Sequence, residues 1–104
     1  MKGELQKSAS GEGSKMLSAA QALDLLKESE EAGLFLVSVE VYELKDKVEI
    51  PRVDLSLYNV CNEVEIRHLP AEQKTQACIL AFEELLELVK GNQANFGFRI
   101  WMED

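Results

Sequence analysis

A chain of 104 residues with 46% hydrophobic residues can bury one core and is too short for several domains. Its 19 acidic against 11 basic residues leave a net charge of −8, which disfavours nucleic acid and anionic membranes as partners and suits a basic protein. No apolar run approaches the ~20 residues of a bilayer span and no signal-type hydrophobic segment opens the chain, so the expected compartment is the cytoplasm, with Cys61 and Cys78 as reduced thiols.

Residues 1–15 hold one large apolar side chain, Leu5, among Gly, Ser and Lys. That composition reads as a disordered tail or a vector-derived leader, with Met16 opening a single domain over 16–104. Ser18 and Gln21 have capping-box spacing, with Leu17 as the staple residue. A helix over about 18–32 follows, with Ala19, Ala22, Leu23 and Leu26 on one face and Gly33 as its stop. Glu28, Glu30 and Glu31 crowd its C-terminal end, where the helix dipole disfavours negative charge.

Leu34 to Leu44 alternates as a strand, with Phe35, Val37, Val39 and Val41 on one face and Leu36, Ser38, Glu40 and Tyr42 on the other. Lys45-Asp46-Lys47 reads as the turn, and Pro51 marks an edge, a bulge or a longer loop in the returning segment. A second strand follows from Arg52 to Tyr58, and a third from Glu63 to His68 with Val64 and Ile66 inward. Pro70 to Lys90 is an amphipathic helix whose face carries Thr75, Cys78, Ile79, Phe82, Leu85, Leu86 and Val89. Leu80 lies on the opposite side among Gln76, Glu83, Glu84 and Glu87. Gly91 suits the left-handed residue that ends this helix. The last strand sets Phe96, Phe98, Ile100 and Met102 against Gly97, Arg99, Trp101 and Glu103, with Gly97 read as a bulge.

The expected fold is therefore α+β in the order α-β-β-β-α-β: a four-stranded mixed sheet with two helices on one face. Three strands form an antiparallel meander, and the C-terminal strand runs parallel to the first and third. By architecture alone this is similar to toxin-immunity proteins and type III secretion chaperones, without a residue motif to carry over. An acetyltransferase fold can begin in a similar order, but Leu69 to Ala77 lacks the glycines of a pyrophosphate loop.

Catalytic constellations are weak. His68 is the single histidine, Cys61 and His68 have opposite parity on a continuous strand, and Cys78 falls on the buried helix face. No catalytic residue, metal ligand or cofactor is assigned. The expected function is a small acidic binding module, an inhibitor, immunity-type or chaperone-type partner of a basic protein, acting through the uncovered sheet face. Its candidate contacts there are Glu40, Tyr42, Asp54, Tyr58, Glu63, Glu65, Arg99 and Trp101: aromatic anchors ringed by charge. The competing expectations are a small enzyme using carboxylates of that face, with Glu63 and Glu65 about 7 Å apart on a strand, and a homodimer without a ligand.

Overall fold

Ser18 and Gly33 bracket a helix because each supplies what a helix end lacks. In the computed structural model, which describes residues 2–90 and 95–104, the Gln21 N–H donates to Ser18 Oγ at 3.2 Å and the Ser18 N–H donates to Gln21 Oε1 at 3.0 Å. Gly33 sits at φ 70°, in the left-handed region that glycine enters without cost. The helix between them, α2 (Ala19–Ala32), buries Ala22, Leu25, Leu26 and Ser29. Leu25 was not among the expected face residues.

Strand β1 (Phe35–Lys45) turns at Asp46 and Lys47, both at positive φ, into β2 (Val48–Pro51). Two consecutive left-handed residues match the twist of a two-residue hairpin. Pro51 ends β2, an edge strand whose four residues are all exposed. Helix α3 (Ala71–Lys90) starts where the Lys74 N–H donates to the Pro70 carbonyl, and it buries Thr75, Cys78, Ile79, Phe82, Leu85 and Val89. The expected helix stop at Gly91 lies outside the described residues. Strand β3 (Asn95–Glu103) completes a three-stranded antiparallel sheet of order β2-β1-β3.

The core lies between this sheet and α2 and α3. Phe82 of α3 meets Phe98 of β3 edge-to-face, with centroids 5.4 Å apart and planes at 81°. Leu36, Val39 and Val41 of β1 and Ile100 and Met102 of β3 are buried with them. Pairing passes directly from Leu36↔Met102 to Ser38↔Trp101, so Val37 is an extra residue. This bulge inverts the parity of the strand's start and buries Leu36 in place of Val37. The bulge is there, not at Gly97. At Gly97 a Cβ would meet Met16 Sδ at 2.6 Å, so the missing side chain leaves room for Met16.

Three strands replace the expected four, and the observed order is α-α-β-β-α-β. Arg52 to Tyr58 keeps part of its expected pairing: the Arg52 N–H donates to the Val41 carbonyl, and Leu57 exchanges both backbone hydrogen bonds with Val39. Between them the chain loops out through 53–55, and Ser56 Oγ accepts the Val41 N–H at 2.9 Å. Glu63 to His68 forms turns, with the Ile66 and Arg67 N–H groups both donating to the Glu63 carbonyl. The second segment, which should have paired with it, is interrupted: β2 ends at Pro51 and the chain turns through 53–55, so Glu63–His68 has no continuous neighbouring strand to pair with. Losing that strand reverses the direction of every later element. Hence β3 runs antiparallel to β1 rather than parallel.

Residues 2–15, assigned from composition to a tail or leader, take a different place. Helix α1 (Lys2–Ala9) packs on α2 and β3. Beyond it the Ser14 N–H donates to the Ile100 carbonyl, and Leu17 and Phe98 exchange N–H···O=C bonds at 2.8 and 2.9 Å. Residues 14–17 thereby line the outer edge of β3.

Candidate functional site

The eight residues expected on one sheet face divide into two groups. Glu40, Tyr42, Arg99 and Trp101 do share the face opposite the helices, because Glu40↔Arg99 and Tyr42↔Gly97 are cross-strand neighbours. Their polar groups are engaged within the chain. The Tyr42 hydroxyl donates to Glu40 Oε1 at 2.6 Å, and this bond, ahead of desolvation, raises the phenol's pKa above its ordinary value. Arg99 donates through Nε to the Ser14 carbonyl at 3.0 Å and through Nη2 to the Glu12 carbonyl at 3.1 Å. Its guanidinium carbon also stands 5.0 Å from the Trp101 ring centroid.

Trp101 Nε1 donates to the Gly11 carbonyl at 3.2 Å. Gly13, buried at φ 79°, leaves no room for a Cβ against the indole ring. The uncovered face is therefore capped at its Trp101 end by residues 11–14. This is the main correction to the expected site: its aromatic anchor already has an occupant.

Asp54, Tyr58, Glu63 and Glu65 lie elsewhere, on the loops between β2 and α3, because Arg52–Tyr58 and Glu63–His68 are not strands of the sheet. Arg52 forks onto Asp54 (Nη2–Oδ2 2.9 Å) and Glu43 (Nη1–Oε1 2.9 Å), and its hydrogen bonds hold the Asp54 carboxyl below its ordinary pKa. Tyr58, Asn59, Asn62, Glu63, Val64 and Glu65 line one shallow depression.

Next to that depression, these loops and α3 form a continuous groove. One part, of about 290 Å³, is lined by residues including Leu55, Leu57, Glu63, Ala81, Glu84 and Leu88. The next, of about 300 Å³, is lined by Glu63, Glu65, Ile66, Ala77, Leu80, Ala81 and Glu84. The two parts share Glu63, Ala81 and Glu84. Leu80 is 56% exposed and Leu88 70%, while carboxylates are the only charged groups in the lining. Leu80 and Leu88 lie two turns apart on α3, with Glu84 one turn from each, and both side chains are open to solvent. Leu88 and the alanines escaped the sequence reading. The available signal was that Leu80 and Leu88 both stand off the buried stripe of α3, eight residues apart.

The thiols are buried. Desolvation, helped by its contact with Glu103 (Sγ to Oε1 3.4 Å), pushes Cys61 up to about 11, and burial raises Cys78 in the same direction. His68 is exposed, and Arg67 Nε donates to its Nε2 at 3.2 Å. Among the described residues no three or more His, Cys, Asp or Glu side chains are grouped to hold a metal ion, and no helix is long and apolar enough to cross a membrane. Comparison with protein-family models, curated proteins and solved structures finds no match to this chain.

Proposed function

We propose that this chain is a small acidic binding module for a basic protein, an inhibitor or chaperone type of partner acting in the cytoplasm, and that its binding surface is the groove between α3 and the 54–66 loops. The observation that carries the reading is the pairing of exposed Leu80 and Leu88 with Glu63, Glu65 and Glu84, without a basic side chain in the lining. Apolar contacts supply affinity at such a surface, and rim carboxylates steer a cationic partner and set the register. The sheet face contributes less, since its anchor Trp101 packs on Gly13 and bonds to Gly11.

The test is calorimetric titration of a partner recovered from the native host, at low and high salt. The expected result is a basic partner whose affinity falls with salt, as charge steering is screened within ~10 Å at 0.1 M. An acidic partner, or a basic one bound equally well at both salts, overturns the reading.

A further inference from the structure

Resting on that reading, we infer that the groove takes an amphipathic α-helix whose apolar stripe is flanked by Lys or Arg. The dimensions come from α3. Leu80 and Leu88 are eight residues apart, so they span about 12 Å, two to three turns of a helix laid alongside. Between and beside them Ala77 and Ala81 present small side chains, which let a second helix approach closely.

The walls decide against an extended occupant. One wall is α3, whose backbone bonds are internal, and the other is loop; β1, β2 and β3 contribute no residue to the lining. An extended peptide there would find no strand edge for its N–H and C=O groups, whereas a helix satisfies them itself. Charge decides the flanks. Glu63 and Glu65 stand on the loop wall, and Glu84 sits on α3 one turn from both Leu80 and Leu88, so a cation on the loop side of the incoming stripe and one between its two leucine contacts meet carboxylates. The same charges disfavour a second copy of this chain: it carries −8 itself and would set Glu83, Glu84 and Glu87 of α3 against their equivalents.

The probe is a labelled peptide of about 18 residues, made of Leu and Lys at amphipathic helical spacing, with a peptide of equal length and charge in which two central leucines are replaced by proline as its comparison. Fluorescence anisotropy reads binding to the full chain, and circular dichroism reads helix gained. The helical peptide is expected to bind at least about tenfold more tightly than the proline peptide and to gain helicity. Leu80→Arg with Leu88→Arg should weaken it at least about tenfold, and Glu63→Gln with Glu65→Gln and Glu84→Gln should flatten the salt dependence. These side chains are exposed, so both variants keep the fold, which the dichroism spectrum checks. Equal binding of the proline peptide overturns the helix inference while the acidic-module reading stands. Undiminished binding to the arginine variant overturns the groove. Binding of neither peptide overturns the groove as a helix site while the acidic-module reading keeps its own test, and concentration-dependent dimerisation abolished by the arginine pair assigns the face to a second copy instead.

Discussion

Phe82→Ala removes the side chain on which the two halves of the core meet. Phe82 is 0% exposed, it touches Phe98 edge-to-face at 5.4 Å, and Phe98 is itself buried. Truncating a buried Phe costs about 3–5 kcal/mol through lost transfer free energy and the cavity left behind. The aromatic geometry supplies about 0.5–1.5 kcal/mol of that. Against a total stability of about 5–15 kcal/mol for a domain of this size, the loss is a large fraction. With a urea slope of about 2 kcal/mol/M, the unfolding midpoint should fall by about 2 M. Leu80→Ala on the outer face of the same helix, 56% exposed, should change stability by no more than about 0.5 kcal/mol. A Phe82/Phe98 double-mutant cycle should return a coupling of about 0.5–1.5 kcal/mol. Equal losses at Phe82 and Leu80, or a loss below about 1.5 kcal/mol at Phe82, would refute the assignment of the buried face.

Gly13→Ala should dislodge the segment that caps Trp101, since the new Cβ overlaps the indole at a positive-φ position; a red-shifted Trp101 emission is expected, and an unchanged spectrum contradicts the capped sheet face. Lys47→Gly should stabilise the hairpin by about 1 kcal/mol, because Lys47 occupies the left-handed region at φ 66°; thermal unfolding reads the gain, and a lower Tm contradicts it. Burial raises Cys61 to about 11, so the folded chain holds the thiol proton more tightly than the unfolded chain does. That stability is complete below the unfolded thiol's ~8.5 and is lost as pH rises toward the folded value. Urea midpoints measured from pH 7 to about 10.5 should fall more steeply in the wild type than in Cys61→Ala, and parallel pH profiles contradict the buried-thiol account.

Periodicity carried α2, α3 and the first hairpin into view, but not α1. The apolar stripe of α3 is buried as its spacing predicts except at Leu86, which is half-buried, and the caps at Ser18 and Gly33 form as their chemistry requires. Parity failed where an extra residue intervened, at Val37, because a bulge leaves no trace in hydropathy. Glu63–His68 alternates like a strand, yet its pairing depends on a continuous strand beside it, which is a tertiary property. The N-terminal stretch was illegible for another reason. Its attachment is made by backbone groups of Gly11, Glu12 and Ser14 and by the absence of a side chain at Gly13, and none of these adds apolar character to the sequence. Of the candidate site, the residue types were legible and their grouping was not. Glu63 and Glu65 belong with Leu80, across a groove that no single stretch of sequence contains.

Amide chemical-shift mapping of the isotope-labelled chain, titrated with the helical Leu/Lys peptide, tests the central claim most directly. The account predicts shifts concentrated at Glu63, Glu65, Ile66, Ala77, Leu80, Ala81, Glu84 and Leu88, which line the groove. Glu40, Tyr42, Arg99 and Trp101 should stay in place. Shifts centred on Arg99 and Trp101, with the α3 amides unmoved, would return the binding surface to the sheet face and contradict the account.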